Sequence, residues 1–414
     1  MTLRVLWLVP FPLSLSAARD CTGGWLDTLA TSLIQRGDVS LTVLWCDASG
    51  EICRWSSADP PEQSPLRPNR RVPPSFVGEV AARLTGRSRQ FRKRLDGLSK
   101  ELAAAHYDIL HIHGTESEWI REASRMRIPR VISIQGVLGD IAAGFWSGMP
   151  LASRLLAPKL MLRWRDLTRR ACVERHYLPM YGHFFCRTAY SASFVRALHP
   201  SAQIHEDGRI LRPEFTGSPC WRPLRSDGRR IMATVSEQPY KGIHNLIPAL
   251  GLSGLTDVEF HVAGVRSESE YGRYLIRLAT RHGVRERIYL LGRLGPRGLV
   301  ERLLDMDLYV HPATQENSPN ALAEAMALGL PCVVARAGGS AEYIDESVSG
   351  VSYDPTDLDD LRRQLLSVLD DRDRAAQFGS NAAALAGIRH APERVAELTM
   401  RGYADVITNR SGSA

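Results

Sequence analysis

Apolar runs alternate with helically spaced apolar positions along most of the chain. Leu3–Val9 is continuously apolar, the pattern of a strand covered on both faces. Pro10-Phe11-Pro12 breaks it, and a Gly23-Gly24 pair closes the loop that follows. Trp25–Arg36 then spaces Leu26, Leu29, Ala30, Leu33 and Ile34 as a helix does, and Leu41–Cys46 reads as the next strand. Strand, glycine loop, helix, strand is a βαβ unit, whose ligands sit at the C-terminal ends of the strands. Asp108–Gly114, Arg130–Ile134 and Phe184–Arg187 continue as strands, with a helix over Tyr190–Leu198. Residues 47–75 are rich in Pro, Arg and Ser and read as an irregular insertion.

Pro213, Gly217, Pro219, Pro223, Asp227 and Gly228 mark residues 213–229 as a linker. The alternation then restarts. Strands are expected at Ile231–Val235, Val258–Ala263, Ile288–Leu291 and Leu308–His311. Helices are expected from Ile243, over Tyr271–His282 and over Leu299–Leu304. Such alternation predicts an α/β protein of two Rossmann-like domains, residues 1–212 and 230–391, each with a parallel sheet. A last helix is expected near Pro392–Ile407.

The chemistry concentrates in Glu316–Pro331. Ser318 reads as an N-cap, with Pro319 at the first helical position. Leu322, Ala325, Met326 and Gly329 form a core-facing stripe, and Gly329 and Pro331 end the helix. Glu316 lies just before this helix start and Glu324 inside it, the latter being the one charge from Ala321 to Leu330. Between them the free amides and partial positive charge of the helix start form an anion site. A nucleotide diphosphate sugar, with a hydroxyl-rich ring at each end of a negative bridge, suits this layout. A buried carboxylate needs partners. Ribose hydroxyls or a buried arginine would both serve Glu324. Tyr240-Lys241-Gly242 adds a cation at another expected helix start, again a phosphate site.

Glu316 and Glu324, running into Glu-Ala-Met-Ala-Leu-Gly-Leu-Pro, resemble the signature of the retaining nucleotide-sugar glycosyltransferases of family 4. The resemblance implies the GT-B fold, with two parallel sheets facing a central cleft and a last helix, here about 392–408, crossing back to the first domain. It implies transfer of a sugar from a nucleotide-diphosphate donor to an acceptor hydroxyl, with no metal or other cofactor. Lys241 would hold the donor diphosphate with the amides around Ser318, Asn320 and Ala321, Glu316 the sugar and Glu324 the ribose. Gly23, Gly24, Gln135, Arg187 and Asn317 fall at positions that approach the donor in the family, and Gly338, Gly339 and Glu342 continue its pattern. Two positions depart from it. Ser236 stands where an arginine is usual, so one cation is missing or comes from elsewhere. Gln135 stands where a histidine is common, and an amide cannot act as a general base. These departures keep open a non-catalytic donor-binding subunit, beside a nucleotide-sugar epimerase on the same fold.

Composition changes this picture little. The chain has 414 residues, 44% hydrophobic and 23% charged, an ordinary globular balance. Net charge is +7, which permits anionic lipid, a phosphorylated substrate or nucleic acid; no motif mixes bases with aromatics as nucleic-acid binding would need. Arg83–Leu102 contains a basic helical stretch, either a solvated face or a helix lying on anionic lipid. Val137–Leu162, glycine-rich and apolar, reads as a buried lid or as the place of a lipid-linked saccharide acceptor. Seven scattered cysteines fit neither a disulfide framework nor a zinc site and point to a reducing cytoplasm, with peripheral contact on the inner membrane face as the expected setting. His111 and His113 share a strand face but lack a third metal ligand, and Asp305-Met306-Asp307 and Asp357–Asp360 read as structural.

Overall fold

The computed structural model describes residues 2–10, 24–46, 52–58, 106–117, 119–217, 220–223 and 229–409. Gly23, the basic stretch Arg83–Leu102 and most of the 47–75 insertion lie outside the described residues. The first sheet comprises β1 (Leu3–Leu8), β2 (Val39–Cys46), β3 (Ile52–Ser56), β4 (Ile109–His113), β5 (Arg130–Ser133), β6 (His183–Cys186) and β7 (Gln203–Glu206). Their order is β3-β2-β1-β4-β5-β6-β7. All pairs are parallel except β2 with β3, where Trp45 opposes Cys53. The second sheet runs β10 (Ile288–Gly292), β9 (Val258–Ala263), β8 (Arg229–Thr234), β11 (Leu308–His311), β12 (Cys332–Ala335) and β13 (Val351–Tyr353), parallel throughout.

The central strands are apolar because helices cover both faces. Every residue of β4, β11 and β12 is buried. Structures resembling this arrangement of two doubly wound parallel sheets put their ligands where strands end and helices begin, and both sheets here do so on facing sides.

Three elements correct the sequence reading. The insertion contains the edge strand β3, and β7 closes the other edge of the first sheet. A 20-residue helix, Pro158–Tyr177, follows the glycine-rich zone. The segment joining the sheets is also no free tether. Pro213–Thr216 is a helical turn, and Phe215 and Trp221 are buried with the second core. Trp221 donates from Nε1 to the carbonyl of Met306 at 2.6 Å.

The last helix, Pro392–Asn409, lies against the first sheet rather than the second. Tyr403 is fully buried there, and its hydroxyl accepts from Trp7 Nε1 at 2.8 Å and meets His111 Nδ1 at 2.8 Å. A hydroxyl has one proton, so Tyr403 gives it to Nδ1. His111 then carries its own proton on Nε2 and donates to Ser133 Oγ at 2.7 Å, and Ser133 donates to Asp207 at 3.4 Å. Burial holds His111 well below the usual histidine range, so it is neutral, as this chain of donors requires. Both of its nitrogens are engaged. His113 is buried between His111 and Trp7, ring centroids 3.7 and 4.4 Å away.

Candidate active site

The loop from β11 to the helix Asn320–Ala327 is clamped from both sheets. Asn317 is 1% exposed although polar. Its Nδ2 donates to the carbonyls of Ile134 (2.9 Å) and Gln135 (3.3 Å), and its Oδ1 accepts from the Thr188 hydroxyl. Arg209, buried, donates to the carbonyl and hydroxyl of Ser318 at 3.2 and 3.4 Å. Behind the loop, the Gly339 amide donates to the Glu316 carbonyl at 2.9 Å. Glu342 reaches across to accept from the amides of Ala189 and Tyr190 at 2.6 and 2.9 Å, a carboxylate at a helix start.

This geometry corrects the reading of Ser318 as an N-cap. The helix begins at Asn320, Pro319 is extended (φ −75°, ψ 111°), and no side chain caps it. Arg209 takes the Ser318 hydroxyl, and the residue before a proline is biased away from helical backbone. The first helical hydrogen bond runs from Ala323 to Pro319 (3.1 Å), so the amides of Asn320, Ala321 and Leu322 precede it.

Glu316 forms an ion pair with Lys241, both side chains about one-sixth exposed. Burial pushes the Glu316 carboxyl up, but the Lys241 ammonium outweighs it and holds the carboxyl below its ordinary range. Burial likewise opposes the Lys241 charge, and Glu316 more than restores it. The pair therefore stays charged. Lys241 ends a short turn rather than a substantial helix, since only Ile243–Leu246 is helical after it. Gly242 between them has φ +73°, and a Cβ there would lie 1.8 Å from the Pro312 carbonyl oxygen. Only glycine lets the lysine turn approach the β11 loop this closely.

Glu324 is 6% exposed and meets Arg212, whose Nε and Nη2 donate to the same oxygen, Oε1, at 3.0 and 2.8 Å. Of the two partners open to Glu324 on sequence grounds, the arginine is present. Burial raises the Glu324 pKa, and Arg212 opposes that. Its Oε1 serves the arginine twice, while no hydrogen bond to Oε2 is described.

A cavity of about 270 Å³ opens beside this pair. Gly24 and Arg212 line it on one side and Thr234, Gly264, Arg293, Asn320, Ala321 and Glu324 on the other. Asn320 Oδ1 is buried without a partner. Arg293, exposed at the end of β10, makes no described ion pair, so the cavity has a cation beyond Arg212. The structure thus brings Gly24, Asn320, Ala321 and Glu324 to one cavity, with Lys241, Glu316, Asn317 and Ser318 in the adjoining loop. Gln135 touches that loop through its carbonyl, and its Nε2 is buried without a partner. Arg187 does not line the cavity. It pairs with Asp207 at 2.7 Å, both side chains 3% exposed, and its guanidinium stacks 4.7 Å over Trp25. Sequence reasoning missed Arg209, Arg212 and Arg293. No local pattern sets them apart in a chain where arginine is the common base.

Residues 223–385 match the family model described as Glycosyl transferases group 1. The GDP-mannose-dependent alpha-mannosyltransferase of Corynebacterium glutamicum is 29% identical over 189 residues, 45% of this chain and 42% of that protein. The match thus spans less than half the length of that curated relative. Among solved structures, the sucrose-phosphate synthase of Thermosynechococcus elongatus superposes with a TM-score of 0.71 at 15% identity, covering 98% of this chain and 100% of that one. Anabaena Alr3699/HepE in complex with UDP superposes with a TM-score of 0.60 at 16% identity, covering 97% and 100%. At these identities the structures establish the fold, which is GT-B.

Proposed function

We propose that this protein, whose second domain belongs to the Glycosyl transferases group 1 family, moves a sugar from a nucleotide-diphosphate donor to the hydroxyl of a saccharide or lipid-linked saccharide. The observation that carries the reading is one cavity bounded by a free helix start and a half-satisfied carboxylate, Asn320 and Ala321 against Glu324. The amides of that helix start suit a diphosphate, and the open oxygen of Glu324 suits a ribose hydroxyl. Lys241 adds charge from the adjoining turn, and Arg212 and Arg293 supply cations that Ser236 cannot. A mannosyltransferase among the relatives and UDP in a structural neighbour are in keeping with such a donor.

Transfer proceeds with retained configuration and without a required metal. The acceptor oxygen forms its bond to the anomeric carbon on the face from which the diphosphate leaves. The bond to the diphosphate oxygen breaks, and that oxygen takes the acceptor proton. Lys241 and the amides stabilise the charge growing there, usually the largest contribution to such catalysis. Glu316, kept ionised by Lys241, orients the donor sugar through its hydroxyls. No helix among the described residues is long and apolar enough to cross a membrane. Work on the inner face of the cytoplasmic membrane, in polysaccharide or glycolipid assembly, is part of this proposal.

Thermal unfolding with a panel of nucleoside diphosphates and their sugars tests the donor site. One nucleotide at about 100 times its Kd should stabilise the protein by about 2.7 kcal/mol. Glu324→Ala should abolish that gain. A panel in which no nucleotide stabilises the wild type sinks the proposal.

A further inference from the structure

We infer that the face formed by the helix Leu151–Leu155 and the outer side of the helix Pro158–Tyr177 docks on an anionic lipid surface. Leu151, Leu155 and Leu156 are 68%, 72% and 71% exposed, the three most exposed large apolar side chains among the described residues. Single exposed leucines are ordinary, but three within six residues form a patch. Leu151 and Leu155 are four apart and share one helix face, and Leu156 adjoins them. Their base is rigid. Arg154 donates to the carbonyls of Met149 (2.7 Å) and Trp146 (3.3 Å), and Trp146 and Met149 are packed in the second core.

The charge around the patch is one-sided. Residues 150–177 hold seven Arg and Lys and two acids, a surplus of five against seven for the whole chain. Neither acid offsets it at the surface. Glu174 is 1% exposed, and Asp166 is paired with Arg169 and Arg170. Arg165, Arg169 and Arg175 are exposed on the long helix, which buries only Leu160 and Glu174. Protruding leucines beside bases match the interface of a bilayer carrying anionic headgroups, where apolar chains insert and bases meet phosphate. A second copy of the chain would set basic face against basic face. Nucleic acid would leave the leucines without apolar partners. The same segment reaches the cleft, since Gly144 abuts the side chain of Gln315, next to Glu316. Docking here would bring the bilayer near the cleft, although the inference stands without the transfer reaction.

Vesicle flotation of the full chain tests this, using phosphatidylcholine alone and phosphatidylcholine mixed with phosphatidylglycerol, at low and high salt. The wild type should float with the anionic vesicles and less at high salt. Leu151→Ser/Leu155→Ser/Leu156→Ser should weaken binding about tenfold or more. Arg165→Glu/Arg169→Glu should remove the preference for anionic vesicles. Unchanged circular dichroism and an unchanged melting temperature establish that both variants fold. The inference is overturned if the wild type floats with neither vesicle, or if the leucine variant floats as the wild type does. It is equally overturned if the leucine variant turns a dimer into a monomer on gel filtration.

Discussion

On the second-domain wall of the cleft, Glu316 and Glu324 each face a cation, Lys241 and Arg212, in the loop and cavity where a ligand would enter. On the first-domain wall, Arg187 and Asp207 form a pair shut in at 3% exposure each, with Trp25 over the guanidinium and Ser133 bonded to the carboxylate. The partners are alike and the surroundings are not. A pair sealed from water has no alternative partner, so its worth lies in the fold. A pair at the edge of a cavity can exchange its partner for ligand hydroxyls or phosphates and still satisfy both charges. Exposure, more than the presence of opposite charges, thus separates the two walls.

The largest expected effect comes from breaking the sealed pair. Asp207→Ala should cost about 3–5 kcal/mol in urea unfolding, because Arg187 is left buried and uncompensated. A loss under about 1 kcal/mol would erase the contrast between the walls. Next in size, Glu316→Gln should lower the rate of nucleoside-diphosphate release in the presence of acceptor by about 100-fold or more. It should keep the thermal shift given by the nucleotide alone. A variant that loses nucleotide binding in proportion to turnover would instead make Glu316 part of the nucleotide site.

The smallest effect sharpens the comparison with a third carboxylate. Burial pushes Glu174 up to about 7, despite hydrogen bonds from the Thr115 hydroxyl and the Leu138 amide. The folded state therefore holds a proton that the unfolded state releases above its ordinary value near 4.5. Stability from this group is full below that value and is lost as pH rises toward 7. Glu174→Gln should flatten the fall in melting temperature over that window; an unchanged slope would mean that another group carries it.

How far the chain's pattern led depended on burial. Strands such as β4 and β11 are buried at every position and read plainly as apolar runs. β7, Gln203–Glu206, has no fully buried residue and offers no such run, and β3 hides in a stretch dominated by Pro, Arg and Ser. The helix Pro158–Tyr177 buries two residues in twenty, so its apolar period is too weak to read. Around the site, Glu316 and Glu324 were legible because a lone acid in an apolar helix stands out. Asn317 could be noted only by resemblance, since its role rests on carbonyls 183 and 182 residues away. Ser318 looked like a cap until Arg209, 109 residues away, took its hydroxyl.

The bond between Trp7 and Tyr403 joins residues 396 apart. On a ribosome adding about 5–20 residues per second, the first partner waits about 20–80 s for the second. Through that interval β1 and β4 lack the helix that will cover them, while every strand of the second sheet has been synthesised before Tyr403 exists. The nascent chain can finish its later-made sheet before its earlier-made one, and the half synthesised first is the half that most needs a chaperone.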